Sequence, residues 1–199
     1  IIEFWQGKYL AADLGQMKEN VPLYEQFFRN KDSDIHGLGL GIAGDLSTNL
    51  LYRLQNGELP DELNPPILWL LIGTNDWGSG CNANMITAGV LNVVAELRRR
   101  KPASRLLLNS ILPRGKEPLF TSNAWQTISE VNQRLECYAT NRTGIEFINS
   151  TDLFLAGIGS ALRVNHTLMP DYLHPSPAGY RLWGNQIVAK VTHVLNENR

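Results

Sequence analysis

The chain has 199 residues, and 18 basic against 19 acidic side chains give it a formal net charge of -1 at pH 7. Hydrophobic residues make up 43% of the sequence, which is ordinary for a folded domain and excludes a mainly disordered chain. The balanced charge argues against a nucleic-acid partner, which would need a basic face. The longest apolar run, residues 67–72, is too short to cross a bilayer. This length predicts one domain over residues 1–199.

Processing signals give a weak indication of compartment. Ile1 does not begin a targeting peptide, so the sequence reads as a processed or an incomplete protein. Candidate glycosylation sequons begin at Asn141, Asn149 and Asn165, and they favour a secreted or lumenal protein over a cytoplasmic one. Cys81 and Cys137 could form one disulfide, but their positions in the sequence do not pair them.

Apolar runs and amphipathic segments alternate along the chain. The patterns predict strands at residues 35–42, 67–72, 105–112 and 145–148, and helices at residues 45–56, 84–100, 122–140 and 177–195. The run 67–72 is typical of a strand buried on both faces. Alternating strands and helices predict an α/β fold with a parallel sheet, in which the loops after the strands carry the functional site.

Three loops contain residues suited to chemistry: 41–45, 73–76 and 171–175. Asp171 stands three residues before His174, so its carboxylate can hold one ring nitrogen and leave the other as a base. Gly44 indicates a turn with positive φ, and Asn75 indicates either a cap or an amide donor.

These residues resemble the SGNH (GDSL-type) esterase superfamily. Gly44-Asp45, residues 73–76 and Asp171-x-x-His174 match its second, third and fifth blocks. Residues 41–45, 51–59 and 111–115 are similar to the platelet-activating-factor acetylhydrolase-like branch. The resemblance runs from about residue 38 to residue 180.

The resemblance implies a three-layer α/β/α fold with a flavodoxin-like parallel sheet. It also implies a serine hydrolase that cleaves short-chain esters, with acetyl esters as the expected substrates. His174 would be the general base and Asp171 its orienting partner, while the Gly44 amide and the Asn75 side chain would donate to the oxyanion. The implied partner is a small ester, and no metal or organic cofactor is implied.

The family's first block, Gly-Asp-Ser, is absent from this sequence. Ser47 is rejected as a substitute because it would lie in the first turn of a helix. In one interpretation residues 1–5 follow the serine, which then lies just upstream of Ile1. In the other, residues 12–14 are a decayed first block and residues 1–4 belong to the strand before it. The second interpretation describes an inactive scaffold that binds a protein partner.

Further residues carry weaker expectations. Trp77, Tyr172 and Leu173 are candidates for the walls of a substrate pocket, and Arg114 either meets an anionic group or pairs with a carboxylate. Residues 39–44 also fit the dinucleotide pattern G-x-G-x-x-G, but the acidic residues that follow stand in a Pro-flanked loop, which disfavours that function. The four histidines and two cysteines lack metal-ligand spacing.

Overall fold

A computed structural model describes residues 1–10, 12–13, 15–31 and 35–197. The chain divides into two compact units. We call Ile1–Gly44 with Val164–Arg199 the terminal unit, and Asp45–Arg163 the middle unit. The single domain expected over residues 1–199 stays a prediction.

The described residues form seven α-helices and seven strands. The helices are α1 (Ile2–Trp5), α2 (Val21–Phe28), α3 (Ser47–Arg53), α4 (Thr74–Gly78), α5 (Ala83–Arg100), α6 (Asn123–Thr140) and α7 (Pro177–Asn196). The strands are β1 (Lys8–Tyr9), β2 (Ala12–Asp13), β3 (Ile67–Leu70), β4 (Arg105–Asn109), β5 (Ile145–Ile148), β6 (Leu155–Ala156) and β7 (Arg163–Val164). A π-helical turn (Leu54–Glu58) extends α3 to Gly57, which has a φ of 100°.

The sheet of the middle unit is parallel and has the order β3-β4-β5. Leu106 lies opposite Leu68 on one side and Ile145 on the other. The central strand β4 is almost wholly buried, as its apolar run requires. The α/β class with a parallel sheet is therefore confirmed.

Strand β3 is less buried than its sequence predicts. Ile67, Leu68 and Trp69 are half-buried, and only Leu70 is fully buried. Among the described residues β3 has a hydrogen-bonded neighbour strand on one side alone. An apolar run thus indicates a strand correctly, but it does not decide the strand's place in the sheet.

The two long helices of the middle unit carry apolar faces that pack into one core. Ile86, Val90 and Val93 of α5 are fully buried, and Ile128 and Val131 of α6 join the same cluster. Both helices have a side-chain cap at the N-terminus. The Asn82 side chain accepts a hydrogen bond from the Met85 amide, and the Ser122 hydroxyl accepts one from the Trp125 amide. Helical periodicity therefore located both helices to within a residue.

An aromatic cluster holds the terminal unit together. Trp5 of α1 is completely buried and stacks on Tyr180 and Trp183 of α7, with ring centroids 4.8 and 5.4 Å apart. Phe27 of α2 meets the edge of the same indole ring, and Gly184 leaves room for it, because a Cβ there would lie 2.4 Å from the Phe27 ring. This packing fixes α1 against the helix that follows His174.

The strand predicted at residues 35–42 is wrong, because this segment has no regular structure. Side chains satisfy its backbone groups in place of a neighbouring strand. The Gly39 amide donates to the Tyr24 hydroxyl (2.8 Å), and the Gln6 side-chain amide donates to the Gly39 carbonyl (3.1 Å). The dinucleotide pattern at residues 39–44 thus lacks the strand that should precede it.

Residues 1–4 do not form a strand either. Ile2–Trp5 is a short helix, so the interpretation that placed these residues in the strand before a decayed first block is wrong. Of that block, Leu14 lies outside the described residues. Within the part of the chain that the structure describes, none of the helices is long and apolar enough to span a membrane.

Candidate active site

Asp171 and His174 form a hydrogen-bonded pair in the turn before α7. The Asp171 Oδ2 lies 2.6 Å from the His174 Nδ1. The Asp171 Oδ1 accepts from the Leu173 amide (2.9 Å) and from the His174 amide (2.7 Å), so the carboxylate shapes its own turn. Tyr172 adopts a left-handed φ of 60° inside this turn. Two residues that the sequence placed three apart are thus held with a fixed orientation.

The environment of this pair favours an ionised Asp171. Burial raises the pKa of the Asp171 carboxyl, but the His174 amide, the His174 ring and the Leu173 amide outweigh that effect and hold the pKa below its usual value. When Nδ1 carries the ring hydrogen and donates it to Asp171, the His174 Nε2 is left as a proton acceptor. The His174 side chain is 28% exposed, so it is accessible from solution.

The start of the chain lies beside the imidazole. The Phe4 ring packs against the His174 ring with centroids 4.3 Å apart. The buried Tyr180 hydroxyl donates to the Ile1 carbonyl at 2.7 Å. Helix α1 therefore packs next to the Asp171–His174 pair.

Gly44 lies in the same unit and has the conformation that its sequence context predicts. Its φ is 85°, a region that side chains rarely tolerate, and no atom lies within 4 Å of where a Cβ would stand. The preceding Ala43 amide donates to the Glu3 Oε2 at 2.5 Å. The Gly44 amide itself has no acceptor among the described residues, so it is available to a ligand.

Asn75 lies in the middle unit, in the first turn of α4. Gly73 precedes this helix with a φ of 119°, and a Cβ there would meet the Ile111 side chain at 2.6 Å. The Asn75 Nδ2 donates to the Asp45 carbonyl at 2.9 Å, and this carbonyl belongs to the residue after Gly44. Because an amide nitrogen has two hydrogens, one of them remains for another acceptor.

The Asp45 side chain is also fixed within the middle unit. Its Oδ2 accepts from the Arg53 Nε (3.0 Å) and Nη2 (2.5 Å), and the other branch of the same guanidinium pairs with Glu58. These residues fall in two of the segments that resemble the acetylhydrolase-like branch, 41–45 and 51–59. The Arg53 guanidinium thus bridges the two carboxylates of Asp45 and Glu58 and joins these two segments.

The structure places the three pocket candidates differently. Leu173 and Tyr172 are half-buried in the turn of the Asp171–His174 pair, where the Tyr172 ring lies 5.1 Å from the His166 ring. Trp77 is half-buried in the middle unit, and the Arg114 guanidinium carbon lies over its ring, 4.7 Å from the ring centroid. Arg114 also donates to the Thr74 carbonyl at 2.8 Å, so it stabilises the start of α4. Their role as pocket walls stays a prediction.

Ser47 is a structural residue, as the sequence indicated. It is the first residue of α3, it is 2% exposed, and its hydroxyl donates to the Asp76 Oδ1 at 2.5 Å. Its amide also donates to Asp76, at 3.0 Å to Oδ2. A Gly89 Cβ would overlap the Ser47 hydroxyl, so α5 closes over the pair. This enclosure leaves no room for an ester beside Ser47.

The sequons and cysteines differ in accessibility. Asn141 and Asn149 are exposed and Asn165 is half-buried, but the Thr151 of the second sequon is only 4% exposed. The half-buried Cys81 and the exposed Cys137 are both free thiols. Glycosylation and secretion stay predictions.

Sequence reasoning missed two residues that organise these turns, Glu3 and Asp76. Both are buried acids, 3% and 5% exposed, and both accept backbone amides. Glu3 is the one charged residue in the apolar stretch 1–5, a signal that a buried polar contact was needed. Asp76 stands in the singled-out loop 73–76, but the sequence did not indicate its contact with Ser47, which stands 29 positions earlier.

Comparisons with known proteins agree with this geometry. The profile of the GDSL-like Lipase/Acylhydrolase family matches residues 7–182. The human platelet-activating factor acetylhydrolase IB subunit alpha1 is 28% identical over 172 residues, which cover 86% of this chain and 69% of the human protein. The human subunit alpha2 is 25% identical over the same shares of the two chains.

Solved structures share the fold. A GDSL-like lipase from Bacteroides thetaiotaomicron superposes with a TM-score of 0.67 at 23% identity, covering 86% of this chain and 82% of the lipase. An acetyl esterase mutant with an acetate ion gives a TM-score of 0.61 at 18% identity, covering 85% and 79%. The family profile spans most of the chain and includes the Gly44, Asn75 and Asp171–His174 turns. The chain therefore belongs to the GDSL-like lipase/acylhydrolase family.

Proposed function

We propose that this protein is a serine esterase that hydrolyses short-chain esters through an acyl-serine intermediate and prefers acetyl esters. His174 is the general base, Asp171 orients it, and Gly44 and Asn75 donate to the oxyanion.

One observation carries the proposal: the Asp171–His174 pair. The 2.6 Å contact to Nδ1, on a carboxylate that two backbone amides also hold, presents Nε2 as the base at a half-exposed position. The role of Asn75 rests on the resemblance of residues 73–76 to the family's third block and on the spare hydrogen of its amide.

The nucleophile is proposed to be a serine directly before Ile1. Two contacts within the terminal unit support this position. Phe4 packs on the His174 ring, and Tyr180 holds the Ile1 carbonyl. A residue that precedes Ile1 would stand at the start of α1, near the imidazole.

The reaction then follows the general course of acyl transfer. The serine hydroxyl loses its proton to the His174 Nε2 as its oxygen bonds to the ester carbonyl carbon, and the carbonyl oxygen takes the negative charge. The Gly44 amide and the Asn75 Nδ2 donate to this oxygen; fixed donors of this kind are each worth about 3–4 kcal/mol. His174 returns the proton to the leaving alkoxide. Water, activated by the same base, releases the carboxylic acid.

The preference for an acetyl group is supported by the relatives. The human proteins are platelet-activating factor acetylhydrolase subunits, and one solved neighbour is an acetyl esterase with an acetate ion. A panel of p-nitrophenyl esters tests this preference. We expect kcat/KM to fall from acetate to butyrate to octanoate, and a maximum at octanoate would contradict it.

The decisive experiment is a fluorophosphonate probe on the full-length protein, including the residues that precede Ile1. We expect covalent labelling of one serine in the peptide that contains Ile1, identified by mass spectrometry. His174→Ala should abolish labelling. His193→Ala is the matched control, because His193 is exposed on α7 and pairs with Glu197 at the surface. A protein that takes no label would be the inactive scaffold.

A further inference from the structure

We propose that Glu3 is a positioning residue for the esterase reaction, holding the Ala43–Gly44 turn where the Gly44 amide can meet the oxyanion. This inference rests on the proposed function. It assigns a task to a buried acid that the reaction itself does not use.

The geometry of Glu3 is that of a two-point tie. Its Oε2 accepts from the Ala43 amide at 2.5 Å and from the Leu10 amide at 3.0 Å, so one oxygen joins two turns that are distant in sequence. The side chain is 3% exposed. Leu10 has a left-handed φ of 49°, which a leucine adopts only where surrounding contacts impose it.

The tie acts next to the donor that the reaction needs. Ala43 immediately precedes Gly44, so fixing the Ala43 amide holds the peptide that lies one residue before the peptide carrying the Gly44 amide. Because Gly44 has no Cβ, its backbone can reach many conformations besides the observed φ of 85°, and an outside contact must select one. Glu3 is the side chain that supplies this contact on the Ala43 side.

The position of Glu3 within α1 gives its hydrogen bonds a second consequence. Glu3 is in the same short helix as Ile2 and Phe4, and Phe4 packs on the His174 ring. The carboxyl therefore links the helix that begins at the proposed nucleophile to the turn that carries the oxyanion donor. An apolar residue would fill the same buried space without making that link, and it would leave the Ala43 and Leu10 amides without this acceptor, which costs stability.

The test compares three variants of the full-length protein with p-nitrophenyl acetate as substrate. Glu3→Met keeps the length of the side chain but removes both acceptors, and Glu3→Gln keeps one oxygen acceptor. Tyr24→Phe is the matched control, because the Tyr24 hydroxyl accepts the Gly39 amide in the same irregular segment, four residues before Ala43.

We expect Glu3→Met to lower kcat by roughly 10- to 100-fold with little change in KM, since loosening an oxyanion donor affects the transition state and not substrate binding. Glu3→Gln should recover most of kcat, and Tyr24→Phe should leave it unchanged. The hydrogen-exchange rate of the Ala43 amide should be low in the parent protein. It should rise about tenfold or more in Glu3→Met, and it should stay at the parent value in Tyr24→Phe.

The outcomes separate this inference from the proposed function. A parent protein without esterase activity refutes the proposed function, and the positioning role falls with it, whatever the Ala43 exchange shows. An active parent whose kcat survives Glu3→Met refutes the positioning role alone. If Glu3→Met fails to fold, Glu3→Gln decides through the Ala43 amide. Faster exchange of that amide at an unchanged kcat would mark Glu3 as merely structural, whereas exchange and kcat that are kept or lost together support the positioning role.

Discussion

Replacing Asp171 by Asn tests the proposed orientation of His174 directly. The Asp171 Oδ1 accepts two backbone amides, at 2.9 and 2.7 Å, and only an oxygen can remain there. The asparagine must therefore turn its NH2 group toward the His174 Nδ1. That nitrogen would then have to accept, the ring hydrogen would move to Nε2, and the base would be lost.

The expected magnitude follows from this geometry. In a fully buried triad the same change lowers kcat by about 10⁴-fold. The Asp171 side chain is 56% exposed, so water can compete for Nδ1 and part of the productive tautomer survives. We therefore expect a loss of about 10³-fold, or roughly 4 kcal/mol of transition-state stabilisation. The free energy of unfolding should change by less than about 1 kcal/mol, because both amides keep an acceptor.

The assay measures kcat on p-nitrophenyl acetate together with urea unfolding of the parent, Asp171→Asn and a control. Asp152→Asn is the control, since Asp152 is also an exposed acid that accepts a side-chain amide in a tight turn. A retained kcat above about one-tenth of the parent value in Asp171→Asn would refute the orienting role. An equal loss in Asp152→Asn would show that surface charge, and not the dyad, sets the rate.

Three further changes have defined outcomes. Ser47→Ala should lower the free energy of unfolding by about 1–3 kcal/mol, because it removes a buried hydrogen bond to Asp76, and kcat should not change. A folded variant without esterase activity would instead identify Ser47 as the nucleophile. Gly44→Ala should cost about 1 kcal/mol of stability, entirely from its φ of 85°, and should lower kcat more than it raises KM. A hydrogen bond from Arg99 lowers the pKa of Glu96 from 4.5 to about 2 against the effect of burial. The ionised Glu96 carboxylate therefore contributes its full stabilisation of the folded state above pH 4.5, and this contribution disappears as the pH falls toward 2. Urea midpoints should accordingly fall more steeply over that range in the parent than in Glu96→Gln, and parallel curves would contradict the assignment.

Local physics made several features readable from the sequence. Helical spacing of apolar residues located α5, α6 and α7, because a helix buries one face whatever it packs against. The turn at residues 171–174 was readable because an aspartate satisfies amides two and three positions later without outside help. The class of the fold followed from alternation of the two periods along the chain.

The tertiary structure decided what depends on partners distant in sequence. Residues 35–42 look like a strand, yet Tyr24 and Gln6 take up the Gly39 backbone groups, and no sheet is needed. Glu3 looks like a flaw in an apolar stretch, and only folding brings the Ala43 amide, 40 positions away, to its oxygen. Periodicity records which face of an element is buried, whereas a buried polar group is understood only once the donor that it meets has a place in space.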